Sequence, residues 1–200
     1  MSNNRKEEIV LTTLELAAQK GLANVSMSMI ADKIGIKKPS LYKHFQSKDE
    51  IVESMYQFLR QQAKEKANIK PMDYSTFFVG KTAYEVLQSA VHGYIQMNHQ
   101  EQMLNFYKVI YSERPLNPMA AKIVVEETEK MILATKQLFY AMQVHNVLHF
   151  NNADMSAVSF AMTIHGLMDY ELDQRYGECQ DEKIDLLEEY LKWFCEENAV

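Results

Sequence analysis

Residues 26–48 read SMSMIADKIGIKKPSLYKHFQSK: a short apolar-periodic stretch, a glycine, then a basic stretch with a proline near its start. Ser26 precedes the periodicity, where a side-chain oxygen can accept the first free helix N–H groups. Ile30, Ala31 and Ile34 fall on one helical face. Gly35 follows the last of them, at the left-handed position that suits glycine, and Ile36 returns to the core. Pro39 fits the first turn of a second helix, where a missing N–H is no loss. Leu41 and Phe45, four apart, anchor that helix inward. Lys37, Lys38, Ser40, Tyr42, Lys43 and His44 remain on or near its outer side. This spacing predicts a helix-turn-helix over about 26–45, with the second helix as the recognition helix.

The outer residues divide by chemistry. The Tyr42 hydroxyl, a His44 ring N–H and the Lys48 ammonium suit phosphate oxygens, which set register without reading sequence. Ser26 or Ser28, at the start of the preceding helix, adds a phosphate contact. Lys38, Pro39, Ser40 and Lys43 are better placed for base edges: lysine for guanine acceptors, proline for a thymine methyl.

Charge supports that assignment. The 200 residues carry a net charge of −6, which alone argues against a nucleic-acid partner. Residues 1–48, however, hold eight basic and four acidic side chains, net +4, leaving −10 for residues 49–200. A basic end facing phosphates and an acidic body turned from them fit this split.

The rest of the composition narrows the class. With 47% apolar residues, six Gly and four Pro, the chain favours an all-α protein. A first helix is expected over about 4–20, with Val10, Leu14, Ala17 and Ala18 on one face. A fourth starts near Lys48, carrying Ile51, Met55, Phe58 and Leu59. Its polar end, RQQAKEKANIKP, runs to Pro71 and is the expected boundary between two parts. Beyond it, helices are expected at about 75–97, 99–113, 117–143, 154–174 and 182–197, about nine in all. The start, MSNNRKEE, has no apolar run of signal-peptide type, and no stretch approaches a membrane span. Cys179 and Cys195 are too few for a disulfide framework and too far apart for a zinc or redox motif, so a reduced, cytoplasmic protein is expected.

Enzyme chemistry finds little support. His145 and His149 are four apart, but no HExxH occurs and no histidine follows a glutamate by three. Nothing near His165 and Asp169 supplies a nucleophile, and no glycine-rich phosphate loop is present. Neither a catalytic residue, a metal site nor a cofactor is expected.

The pattern Ile30-Ala31, Gly35-Ile36, Leu41-Tyr42, His44-Phe45 and Lys48, with Asp49 or Glu50 following, resembles the DNA-binding domain of the TetR family of bacterial transcriptional regulators. The specific likeness covers roughly the first sixty residues. Lys37 departs from it, because the family more often has a serine or threonine capping the recognition helix there. A lysine cannot accept helix N–H groups, so it either contacts DNA itself or leaves the helix start frayed. The resemblance implies a DNA-binding domain at 1–65 and a helical ligand-binding and dimerisation domain at 66–200. It also implies an effector pocket between the central helices, for which His92, Met97, Met103, Phe106, Tyr107, Tyr111, Phe139 and Tyr140 are the candidates. Methionine and aromatic side chains suit such a cavity, although they fill ordinary cores equally well.

The last two helices present apolar residues on more than one face. Asp154–Leu172 carries Met155, Val158, Phe160, Met162, Ile164, Leu167 and Met168; the final helix has one stripe of Ile184, Leu187, Leu191 and Phe194 and another of Leu186, Tyr190 and Trp193. One stripe can pack internally and the other then needs a partner. Phe160, Ile164, Leu167, Met168, Leu186, Tyr190 and Trp193 are the expected contacts of a two-fold dimer, which is also the TetR arrangement. The whole reads as a homodimeric repressor of a palindromic double-stranded operator, released by a small, mainly apolar effector. The rival is a DNA-bound scaffold or co-activator that recruits a protein without an effector.

Overall fold

In the computed structural model, residues 2–67, 74–179 and 185–200 are described, and among these the chain is entirely helical. The elements are α1 (Ser2–Lys20), a 3-10 turn (Leu22–Asn24), α2 (Met27–Ile34), α3 (Lys38–Tyr42), α4 (Lys48–Ala67), α5 (Tyr74–Phe77), α6 (Ala83–Asn98), α7 (Glu101–Glu113), α8 (Pro118–Val144), α9 (Ala153–Tyr176) and α10 (Leu186–Glu197). Pro71 and Ile184, used in the sequence reading, lie outside the described residues.

One expected helix is two. The segment read as a single helix over about 75–97 is broken between α5 and α6. Gly80 takes φ +72° there, and a new helix start is built by Thr82 and Glu85. The Glu85 N–H donates to Thr82 Oγ1 at 3.2 Å while the Thr82 N–H donates to Glu85 Oε2 at 2.7 Å, a reciprocal capping box. The T-x-x-E pattern outcompetes apolar periodicity because it satisfies two N–H groups that a continuous helix would leave no reason to expose.

The chain forms two compact units. The first comprises Met1–Ile69 and Met97–Glu126; the second comprises Lys70–Gln96 and Glu127–Val200. In the first, α7 packs on α1 and α4, and α1 also packs on α2. Ile9, Val10, Leu14, Ile30, Leu41, Phe45, Ile51 and Met55 share one core with Met103, Phe106 and Ile110. Phe106 stacks on Tyr56 with ring centroids 5.9 Å apart, and the Tyr56 hydroxyl bonds Glu126 Oε2 at 3.2 Å.

The second unit is built around aromatic rings. Phe139 stacks on Phe150 at 4.5 Å and meets Phe160 edge-on at 5.3 Å, while Phe160 lies 4.7 Å from Phe194. Such pairs add roughly 0.5–1.5 kcal/mol each beyond the area they bury. A polar bridge joins α6 to α10 at the edge of this core. Tyr84 and Gln88 both donate to the Glu188 carboxylate, Gln88 at 3.2 Å, and His92 Nε2 lies 3.6 Å from Glu188 Oε1.

Candidate nucleic-acid interface

Local hydrogen bonds hold the helix-turn-helix in shape. Ser26, in extended backbone, accepts the Met29 N–H at 3.2 Å and starts α2. Gly35 ends it with φ 75° and ψ 30°. The Ile36 N–H reaches back to the Ala31 carbonyl at 2.9 Å and the Gly35 N–H to Asp32 at 3.1 Å, the paired bonds of a Schellman ending. Leu41, on α3, and Phe45, in the turn that follows it, are buried at 0% and 1% exposure and fix the inner side of this segment.

Lys37 supplies no side-chain cap to α3, as its chemistry requires. The start of the helix nevertheless demands little capping. Pro39 has no N–H, and the Ser40 N–H already donates to the Lys37 carbonyl at 2.8 Å. A tight first turn and a proline replace the missing serine or threonine.

The outer side of α3 is exposed and cationic. Lys37, Lys38, Pro39, Tyr42 and Lys43 are exposed, with Ser40 and His44 half-buried. Tyr42 is 45% exposed, and the Lys38 ammonium sits 6.0 Å from its ring centroid, one helical turn away. On α2 and its start, Ser26 is exposed and Ser28 half-buried. Two other cations in the N-terminal part of this unit are already engaged. Arg5 pairs with Glu8 at 2.6 Å and Lys33 with Glu15 at 2.6 Å, and the Lys33 hydrogen bond holds the Glu15 carboxyl below its usual range. Among the described residues no carboxylate lies in ion-pair range of Lys37, Lys38 or Lys43. Lys48 differs: its ammonium donates to the carbonyls of Leu22 at 2.7 Å and Val25 at 3.2 Å, and the side chain is partly buried.

The expected effector residues are divided between the units. Met97, Met103, Phe106, Tyr107 and Tyr111 belong to the first, with Met103 and Phe106 inside its core; Tyr107 meets Phe106 and Tyr111 edge-on at 5.9 and 6.2 Å. His92, Phe139 and Tyr140 belong to the second. There Phe139 is a core residue, Tyr140 is exposed and hydrogen-bonded to Asp154, and His92 faces Glu188.

The expected dimer residues also separate. Phe160, Ile164 and Met168 do not face outward; they are buried in the second unit's own core, where Phe160 packs against the rings of Phe139 and Phe194. Leu167 and Tyr190 are half-buried, whereas Leu186 and Trp193 stay 47% and 53% exposed. Met155 and Met162 on α9 are similarly exposed. Sequence reasoning passed over Ser47, and it used Glu50 only as the acidic residue that follows Lys48. The Ser47 hydroxyl accepts the Glu50 N–H at 3.1 Å, and Glu50 accepts the Gln46 N–H at 2.6 Å, so α4 starts on a variant of the same capping pattern as α6. The S-x-x-E spacing is the signal that marks it.

An all-helical fold that presents an unneutralised basic recognition helix defines a helix-turn-helix DNA-binding protein. Residues 9–55 match the family model for bacterial regulatory proteins, tetR family. The DNA-binding end of the chain, residues 9–55, is therefore of the TetR type. Among curated relatives, the uncharacterized HTH-type transcriptional regulator YerO of Bacillus subtilis is 38% identical over 56 residues. That match covers 28% of this chain and 19% of YerO, so the likeness is confined to the DNA-binding end. Solved structures match over nearly the whole length. A candidate TetR-family transcriptional regulator from Mesorhizobium loti superposes with a TM-score of 0.70 at 18% identity, covering 98% of this chain and 96% of that one. A candidate transcriptional regulator from Saccharomonospora viridis in complex with choline gives 0.69 at 19% identity, covering 98% and 97%. These likenesses show the fold. Its relatives in family and fold are regulators rather than enzymes, and no described helix is long and apolar enough to cross a membrane.

Proposed function

We propose that this regulator is a cytoplasmic homodimeric repressor that leaves its operator when a small, mainly apolar effector binds the helical body. The observation that carries the DNA-reading half is the state of Lys37, Lys38 and Lys43: exposed, on or next to one short helix, with no carboxylate near them among the described residues. In this reading residues 1–65 bind DNA and 66–200 sense and dimerise. Tyr42, His44, Lys48, Ser26 and Ser28 contact phosphates, while Lys38, Pro39, Ser40 and Lys43 meet base edges and Lys37 lies alongside. Two such heads in a two-fold dimer place half-site centres about 34–36 Å apart.

The sensing half rests on lesser support. The Saccharomonospora viridis protein, of the same fold, holds choline. The methionine- and aromatic-rich segments of α6 to α8 are of the kind that line adaptable cavities. Moving the population from 1:99 to 99:1 in favour of the DNA-free form requires about 5.5 kcal/mol of differential effector affinity.

The test has two parts. Duplexes selected from a random-sequence pool by the purified protein are titrated by fluorescence anisotropy across a salt series. A steep fall of affinity with salt is expected, and a flat profile removes the phosphate-neutralising head. A small-molecule panel is then screened by thermal shift and by release of the selected duplex. Ligands that stabilise the protein and release DNA support the repressor; stabilisation by none leaves the scaffold reading in its place.

A further inference from the structure

Lys6 differs from the cation beside it at the start of α1. Arg5 is committed to Glu8 at 2.6 Å, whereas Lys6 is exposed and, among the described residues, has no carboxylate in ion-pair range. Its place on the helix is nevertheless not an outward one. Ile9, Val10 and Thr13 follow it at i+3, i+4 and i+7, and all three are buried. Lys6 therefore continues the inward face of α1 about one turn past the core. That face ends at Phe45. The Lys6 ammonium lies 5.2 Å from the centroid of the Phe45 ring, which is itself 1% exposed. Phe45 sits in the turn between α3 and α4, directly after His44 and three residues before Lys48. The fold thus brings a charge from position 6 to the turn that ends the recognition segment. Glu50, the acidic residue that closes this turn, accepts the Gln46 N–H at 2.6 Å and does not pair with Lys6.

We propose that Lys6 is a further phosphate-binding residue, through which α1 supplies a cation to the DNA backbone beside the turn from α3 to α4. The ring of Phe45 holds the ammonium in place before DNA arrives, with the aliphatic stem laid along the end of the core. A charge set in advance gives up less side-chain freedom on binding than a freely rotating lysine does. A contact of this kind fixes register and reads no sequence. The proposal rests on the DNA-facing reading of α2 and α3, and its test separates the two.

The full chain is compared with Lys6→Met, which keeps an unbranched apolar stem over the ring, and with Lys6→Arg, which keeps the charge. Lys20→Met serves as control, since it removes an exposed charge from the last turn of the same helix. Binding is measured by fluorescence anisotropy across a salt series, on the duplex selected by the unaltered protein and on one of scrambled sequence. Lys6→Met reduces the slope of log affinity against log salt by about 0.9 for each head bound, the loss of one phosphate contact, and does so on both duplexes. Lys6→Arg and Lys20→Met keep the slope of the unaltered protein. An unchanged slope in Lys6→Met, beside a steep profile for the unaltered protein, overturns the contact and leaves a lysine that serves packing alone. Equal reductions in Lys6→Met and Lys20→Met overturn it as well, because net charge then accounts for both. A flat profile for the unaltered protein overturns the DNA-facing reading and the contact together, so the two failures are told apart. Should Lys6→Met not fold, Lys6→Gln takes its place under the same criteria.

Discussion

At the scale of single residues, backbone geometry and charge neutralisation matter most. Gly35 sits at φ 75° with no other atom within 4 Å of where a Cβ would be. Substitution there meets no steric neighbour, only the intrinsic cost of the left-handed region. Gly35→Ala is therefore expected to lower stability by about 1–2 kcal/mol in urea unfolding, with Gly35→Asn milder. Ser26→Ala removes the acceptor for the Met29 N–H and is expected to cost about 1 kcal/mol in the same assay. Tyr42→Phe removes a hydroxyl from an exposed ring without disturbing the core. Under the proposed division of contacts it weakens binding to all duplexes alike, whereas Lys38→Met and Lys43→Met change the preferred sequence; equal losses on every duplex would dissolve that division.

At the scale of elements, the bridge between α6 and α10 makes a pH prediction. Tyr84, Gln88 and His92 are spaced at i, i+4 and i+8 on α6, so one face of the helix addresses a single carboxylate. Glu188 is held below its ordinary 4.5, first by the Tyr84 hydrogen bond and further by Gln88, His92 and Lys192. Its contribution is complete above pH 4.5 and is lost as pH falls through the lowered value. Tyr84 is pushed up to about 12 by the same bond, so its contribution is complete below its ordinary 10.0 and is lost as pH rises through about 12. Thermal midpoints followed against pH should show the stability difference between the unaltered protein and Glu188→Gln closing on the acid side. For Tyr84→Phe the gap should close on the alkaline side. A difference constant with pH would show that the bridge does not hold these groups in the ionisation states described.

At the scale of the whole molecule, charge and apolar surface set the association behaviour. The +4 head and −10 remainder oppose each other in any approach to DNA, so steering depends on ionic strength more than the net −6 suggests. Leu186 and Trp193 keep about half their surface exposed, Trp193 beside the Tyr190 ring at 5.7 Å, while the rings behind them are buried. Under the proposed dimer, Trp193→Glu is expected to convert the protein to a monomer in sedimentation velocity and to weaken binding to a two-half-site duplex more than to a single half-site. A Trp193→Glu protein that remains dimeric would move the interface elsewhere.

Local chemistry alone determined the cap at Ser26, the turn at Gly35, the inward pair Leu41 and Phe45, and the basic outer side of α3. Each depends on residues within a few positions of one another. The same holds for the helix start at Thr82, whose T-x-x-E signal lies in the sequence but competes with an apolar periodicity running across it. Tertiary structure alone decided which apolar stripe is covered and by what. Periodicity shows that α9 is apolar on several sides, but only the fold sets Phe160 against the rings of Phe139 and Phe194, buries Ile164 and Met168 in the same core and leaves Trp193 outside. It likewise brought α7 against α1, and carried the Lys48 ammonium across 26 residues to the Leu22 carbonyl. One-dimensional spacing records where a donor stands but not the acceptors that the fold brings to it, so the Leu22 and Val25 carbonyls beside the Lys48 ammonium are not legible in the sequence.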